Sequence, residues 1–350
     1  MTIELHNIGM IKEANVKIDG LTVIAGENDT GKSTVGKILM SLIKADNTAR
    51  HKNAIGQSKN FNSNRKNNFN RQIELLFDKK ISQKGEVRLS KTSEVIYKII
   101  IKNNECSQFN GIDEKASRDF LDCTFIQTPL VWDLYEFFVS IATLRTEGDI
   151  YGYQNNIAYP YILWDLYSKL TNKRLDCDKN IKLIKHVKEI ISGEFIKDDL
   201  GKFYYSKENN HGIEEKIPLK NIATGIKVFG ILQILLENCY INPHGFFIFD
   251  EPENHLHPKW QLTMAKIIVE LVKNGVKILV NSHSPYMVEA LKRYSDVVKI
   301  EDKTNFYLAE EGYIKKINDS NSETLVVIYE KLSEPYDIFE QMESDRFTNG

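Results

Sequence analysis

Near-continuous apolar runs alternate with amphipathic stretches at both ends of this chain, and the middle breaks the pattern. Residues 21–25 are an apolar run, which predicts a strand buried on both faces. A helix-like run follows at 35–43. The same alternation returns after residue 219. There the pattern predicts a helix over 226–238, a strand over 245–249, a helix over 258–273, a strand over 276–280 and a helix over 284–292. Apolar strands alternating with helices predict an α/β fold with a mainly parallel sheet, fed by antiparallel strands at the N-terminus. The tail predicts a hairpin over 306–317, turning at Glu311-Gly312, and a last helix from near Ser322.

Residues 44–72 change character abruptly. They are rich in Asn, Lys, Arg and Ser, with Asp46 as the one acid against Lys44, Arg50, Lys52, Lys59, Arg65, Lys66 and Arg71. The composition reads as a solvated surface loop, with contact to nucleic-acid phosphates as the alternative. Beyond it, 73–77 reads as a helix end, and 86–88, 95–101 and 124–127 read as strands. Residues 130–196 read as mostly helical. Their aromatic residues, among them Trp132, Tyr135, Phe137, Phe138, Tyr151, Tyr153, Tyr159, Tyr161, Trp164 and Tyr167, recur at helical spacing and read as a packing core. A hairpin is expected from 203–205 to 215–218, turning near Asn209-Asn210-His211-Gly212. The expected organisation is a discontinuous head, 1–45 with 219–350, and an inserted lobe, 46–218, that is largely helical.

Composition narrows the class without naming it. The formal net charge of the 350 residues is −2, so global charge points to neither nucleic acid nor membrane. Hydrophobic content of 42% and charged content of 27% suit a globular domain. Cys106, Cys123, Cys177 and Cys239 are scattered, and we expect four free thiols in a reducing compartment. No secretory signal pattern opens the chain. The longest apolar stretch, 228–240, is broken by Gln233, Glu237 and Asn238 and falls short of a bilayer span. The expected location is cytoplasmic, with no membrane partner.

Chemistry enters with the string GENDTGKST at 26–34. Gly26, Gly31, Lys32 and Ser33 fill the fixed positions of the phosphate loop G-x-x-x-x-G-K-[ST], between an apolar strand and a helix. In such a loop, the backbone around Asn28, Asp29, Thr30 and Thr34 cradles phosphate oxygens. The helix start adds its positive dipole end. Lys32 is expected to reach the β- and γ-phosphates of ATP, and the Ser33 hydroxyl to ligate Mg²⁺. The 245–249 strand ends in Asp250-Glu251. Asp250 at that point is placed to hold Mg²⁺ beside Ser33, and Glu251 to act on an attacking water as general base.

The sequence Asp250-Glu-Pro-Glu-Asn-His-Leu-His-Pro258 resembles the Walker B motif and D-loop of ABC-type ATPases. The likeness is to their Rad50/SMC-like and OLD-like (AAA_15-type) branch. Leu279-Val-Asn-Ser-His283-Ser-Pro285 resembles the switch motif of those proteins. The resemblance implies a P-loop NTPase with an ABC-type head. In it His283 faces the terminal phosphate, and His255 and His257 belong to the D-loop and the following helix start, not to a metal cage. Asn221-Ile-Ala-Thr-Gly-Ile-Lys227 is the match to the family's signature turn, with Thr224 and Gly225 expected to bind the nucleotide of an opposite subunit. Ala223 or Thr224 stands where the family has serine. Gln127 is the candidate Q-loop residue toward Mg²⁺, with a plain polar strand end as the alternative. OLD-like nucleases add a Toprim domain with an Asp-x-Asp pair. Asp176-Cys-Asp178 precedes the Asp-Glu strand and no such pair follows His283, so no nuclease site is expected. The resemblance, which extends to small bacterial anti-phage ATPases such as the Septu type, implies an Mg²⁺-dependent ATPase forming a homodimer around ATP. It also implies control of a separate effector, such as a nuclease. The alternatives are a nucleotide-gated DNA-binding scaffold with little turnover, or a transporter ATPase subunit.

Overall fold

The computed structural model describes the whole chain except residues 56–59, 79, 93, 113–119, 152–158, 175–179, 210 and 349–350. Lys59, Tyr153, Asp176, Cys177, Asp178 and Asn210, singled out above, lie outside the described residues. Two compact units emerge: 1–123 with 243–253 and 258–350, and 124–242 with 254–257.

The first unit is built on one sheet. Its strands are β1 (Thr2–Ile8), β2 (Ile11–Lys17), β3 (Leu21–Ala25), β4 (Lys84–Lys91), β5 (Glu94–Lys102), β6 (Glu105–Gly111), β11 (Gly245–Asp250), β12 (Lys277–Ser282), β13 (Thr304–Glu310), β14 (Tyr313–Lys315) and β7 (Asp122–Ile126), of which only Asp122 and Cys123 fall in this unit. β8 to β10 belong to the second unit. The spatial order is β6-β5-β4-β1-β2-β14-β13-β3-β12-β11-β7. β13, β3, β12 and β11 run parallel, while β6, β5, β4, β1 and β2 form an antiparallel wing. Every residue of β3 and β11 is buried, which is why both read as near-continuous apolar runs. The β13–β14 hairpin turns at Glu311 and Gly312, both with positive φ, as a tight two-residue turn requires. The helices are α1 (Lys32–Ala54), α2 (Phe61–Phe77), α7 (Pro258–Lys273), α8 (Pro285–Val297) and α9 (Asn321–Thr348).

Of the expected loop at 44–72, residues 44–54 are instead the second half of α1 and residues 61–72 most of α2. Its one acid is the reason. Asp46 is buried on α1 and accepts from Arg50 Nε and Arg65 Nε, each at 2.6 Å. Arg65 is fully buried on α2, bonds the Ile112 carbonyl through Nη2 and lies 3.8 Å above the Phe61 ring. Asn60 caps α2 by accepting from the Ser63 N–H. Tertiary pairing thus overrides a polar composition. β6, which no apolar run announces, turns only Cys106 and Phe109 fully inward. Because α1 runs past residue 45 and β4 to β6 extend the sheet, 46–123 falls with the first unit, not with an inserted lobe.

The second unit contains α3 (Tyr135–Tyr151), α4 (Tyr161–Thr171), α5 (Ile181–Ile191), α6 (Thr224–Glu237) and an antiparallel sheet β10-β9-β8 of Glu214–Pro218, Phe203–Glu208 and Glu194–Lys197. Residues 219–242, expected in the head, belong here. Trp132 stacks on Phe195 at 5.2 Å, and Phe138 packs on Tyr167 at 5.3 Å, so these aromatics are core. Among the described ones Tyr159, Tyr161 and Trp164 are half-buried and Phe137 faces outward. Gln233, the polar break in the apolar stretch, is fully buried and exchanges hydrogen bonds with the Phe195 N–H and carbonyl, closing the free edge of β8. Cys106 and Cys123 are free and buried, but Cys239 is disulfide-bonded, which corrects the expectation of four free thiols. Spacing along the chain does not report sulfurs that the fold brings together. Among the described residues, no helix is long and apolar enough to cross a membrane.

Candidate functional site

Three parallel strands deliver their carboxyl ends to one place. Register pairs Ser282 of β12 with Ala25 of β3, and Asp250 of β11 with Asn281 of β12. Functional groups in parallel sheets gather where strands emerge. The loop after β3 bends through Gly26 (φ 157), Asp29 (φ 65) and Gly31 (φ 91). A Cβ on Gly26 would sit 2.2 Å from the Ala309 carbonyl oxygen, and one on Gly31 would meet Ile11 Cγ1 at 2.9 Å. Only glycine fits at either position. α1 then starts at Lys32 with no side-chain cap, leaving the N–H groups of its first turn unclaimed by a capping side chain.

Lys32 is 5% exposed and folds back over the loop, donating to the Gly26 carbonyl at 2.9 Å and to the Glu27 carbonyl. Burial pulls its pKa below the ordinary lysine value, against the pull of Glu251, Asp250, Glu253 and Glu27. Ser33 Oγ donates to Asp250 Oδ1 at 2.8 Å, and Asn281 Nδ2 donates to the same oxygen at 2.7 Å. Burial raises the Asp250 carboxyl, while these two hydrogen bonds oppose the rise. The expected pairing of Ser33 with Asp250 is therefore present, across 217 positions of sequence.

Glu251 leaves β11 in the left-handed region, φ 54, with its N–H on the Asn281 carbonyl at 2.9 Å. A non-glycine residue there stores on the order of 1–3 kcal/mol of strain, a cost concentrated at functional sites. Its Oε1 lies 3.4 Å from His283 Nδ1. Both side chains are about one-third exposed (Glu251 31%, His283 38%), beside the buried carboxylates of Asp250 and Glu253.

Two residues escaped the sequence reading. Asn281 is a polar residue near the end of an apolar strand, a pattern that signals a strand end with a job. Glu253 is buried and binds the turn after β12 through Ser282 Oγ (2.7 Å) and the N–H groups of His283 (2.9 Å) and Ser284 (3.2 Å). Burial raises its carboxyl, and those same donors lower it. No spacing rule separates Glu253 from the other acids of its turn. Ser284 caps α8 by accepting from the Met287 N–H, with Pro285 as the first helical residue, so His283 is pinned between a strand and a capped helix.

The remaining candidates lie in the second unit. Gln127 is exposed, one residue past β7. Thr224 and Gly225 open α6 behind Ala223, which offers no side-chain cap; Thr224 is exposed and Gly225 buried. Lys227 is committed to Asp133 at 2.5 Å. His255 and His257 also belong to this unit.

A family model described as "AAA domain, putative AbiEii toxin, Type IV TA system" (AAA_21) matches residues 21–289, a span that includes the phosphate loop, Asp250-Glu251 and His283. No curated protein matches the chain. Among solved structures, the chain is similar to an SMC head bound to the C-winged helix domain of ScpA, at 12% identity over 90% of this chain and 96% of that one, with a TM-score of 0.48. It is also similar to the SMC head domain from Thermotoga maritima, at 11% identity over 90% and 98%, with a TM-score of 0.45. The ATP-binding cassette of an ABC transporter in its ADP conformation gives 15% identity over 98% and 99%, with a TM-score of 0.39.

Proposed function

This chain belongs to the AAA_21 family, and on that premise we propose that it is an ABC-type, Mg²⁺-dependent ATPase that pairs on ATP and controls a partner effector. The observation that carries the reading is the Ser33–Asp250 hydrogen bond beside a glycine-shaped loop, with Glu251 and His283 within 3.4 Å of each other at the same strand ends. These residues fit a nucleoside triphosphate with a divalent cation. A loop that excludes Cβ atoms lets backbone N–H groups approach phosphate oxygens. A serine hydroxyl and one carboxylate match Mg²⁺, which keeps waters and substrate oxygens and needs no all-protein cage. Among the described residues, no group of three or more His, Cys, Asp or Glu side chains offers such a cage.

In this reading, Lys32 turns from its loop carbonyls to the β- and γ-phosphates. Ser33 and Asp250 hold the metal, whose charge offsets that of the phosphate oxygens when bound. Glu251 accepts the proton of the attacking water as its oxygen bonds to the terminal phosphorus. The bond from that phosphorus to the bridging oxygen breaks, releasing ADP and phosphate. His283 hydrogen-bonds the terminal phosphate or the attacking water. Thr224 and Gly225 would complete the site of a second copy, and Gln127 is the candidate Q-loop residue.

The family's description, which names a toxin of a toxin–antitoxin system, supports a setting in which the ATPase governs a partner, as in anti-phage defence. The OLD-like and Septu-like affinity read from the motifs belongs to the same proposal, as do an effector such as a nuclease and a cytoplasmic site of action. A transporter subunit is not favoured.

The first experiment is direct. Lys32→Ala should abolish binding of a fluorescent ATP analogue. Glu251→Gln should retain it while turnover falls on the order of 10²–10⁴-fold, the span of general-base catalysis. Turnover by Glu251→Gln at the parental rate would overturn the assignment.

A further inference from the structure

One acid in the turn after β11 fastens three consecutive residues, the last of β12 and the first two of the turn that follows it. Glu253 Oε1 accepts from Ser282 Oγ, His283 N–H and Ser284 N–H, and Ser282 Oγ in turn accepts from the Ser284 N–H at 3.1 Å. The side chain is 3% exposed. Its second oxygen, Oε2, is buried and has no hydrogen-bond partner among the described residues, and the same holds for His283 Nδ1. That nitrogen lies 3.6 Å from Glu253 Oε1. A buried unpartnered acceptor is costly, and two unpartnered polar atoms on facing side chains call for an explanation. A small rotation of the imidazole or the carboxyl turns the 3.6 Å approach into an Nδ1–H···O hydrogen bond.

We propose that Glu253 is a positioning residue for the hydrolytic step: it fixes the turn carrying His283 and accepts the Nδ1 proton, so that Nε2 is presented toward the terminal phosphate. The inference rests on the ATPase reading above. It also separates the two exit-turn acids by task. Glu251 Oε1 competes for the same Nδ1 proton from 3.4 Å. When Glu253 holds that proton, Glu251 is left to act on water. A carboxylate that orients a functional histidine through its far ring nitrogen is a recurrent arrangement, and its loss costs about 10–100-fold where it has been measured at metal sites.

The test is a double-mutant cycle read beside histidine spectra. Glu253→Ala should lower kcat by about 10–100-fold with KM for ATP little changed. Glu253→Gln keeps an acceptor oxygen and the side-chain shape, and should fall between the parent and Glu253→Ala. In a His283→Ala background, Glu253→Ala should add no further loss, because one group acts through the other. Additive losses in the cycle would overturn the proposal. ¹⁵N spectra of labelled histidine, with His283 assigned through His283→Asn, give a readout that needs no turnover. Glu253→Gln should shift the His283 ring resonances and leave the other histidines in place, whereas unmoved His283 resonances would overturn the contact. A parent chain that fails to hydrolyse ATP would remove the ATPase reading, while the spectra would still decide the Glu253–His283 contact.

Discussion

Asp250 concentrates the logic of the site in one side chain. It is buried at 4% exposure, and both of its hydrogen bonds arrive at Oδ1, from Ser33 and Asn281. A carboxylate so placed is desolvated in the absence of a cation, which is why its carboxyl is pushed above the usual range. Asp250→Asn keeps the shape and the accepting oxygen but removes the charge. Calorimetric titration of ATP should therefore show the parent losing about tenfold or more in affinity when Mg²⁺ is replaced by EDTA, with Asp250→Asn nearly indifferent to the exchange. An undiminished response to Mg²⁺ in the variant would take Asp250 out of the metal's coordination. Lys32, Ser33, Asp250 and Glu251 were legible in the sequence because their motifs fix residue type and spacing together. Glu253 and Asn281 were not, since each matters through a partner about thirty positions away, which no local pattern encodes.

At the scale of elements, legibility followed burial. β3, β11 and β12 announce themselves because a strand covered on both faces must be apolar almost throughout. α7 was legible to its ends, helped by Pro258 at its start. α2 was hidden by the opposite circumstance: an Asn-rich, basic helix held by one buried ion pair and a few aromatic contacts. Phe69 meets Phe109 at 5.8 Å, and Arg65 reaches Asp46 on α1. Composition reads that segment as solvated because it cannot see that Arg65, among its described cations, is the buried one. Removing Arg65 leaves Asp46 buried with Arg50 as its remaining partner, so the loss stays at or below the ~3–5 kcal/mol of a fully uncompensated buried charge. Arg65→Ala should thus lower hydrogen-exchange protection across Phe61–Phe77 by up to that amount and leave β11 and β12 protected as in the parent. Equal loss across both regions would place Arg65 in the global core and not in a local clasp between α1 and α2.

For the whole molecule, the question is where the second half of a nucleotide site comes from. The first unit contains the phosphate loop, Asp250, Glu251 and His283, the proposed metal-side carboxylate, base and switch histidine. The exposed, uncapped start of α6 at Thr224 is a separate group of donors in the second unit. In the proposed isologous pair each nucleotide would take the loop of one copy and the α6 start of the other, so ATP would favour assembly by binding both. Thr224→Asp tests this with little harm to the fold, since an acid in the first turn of a helix suits the helix dipole while repelling a phosphate. Thr224→Asp should still bind ATP through Lys32 yet fail to double in mass on ATP in sedimentation, where Glu251→Gln should do so. The sharper result comes from mixing two inactive chains. A pair made of Lys32→Ala and Thr224→Asp contains one site with both halves intact and one with both halves lost. Because neither chain pairs with itself on ATP, an equal mixture forms only mixed pairs and should recover up to about half of parental turnover, each pair holding one intact site of two. A site complete within one chain would recover none, because each chain would carry its own defect.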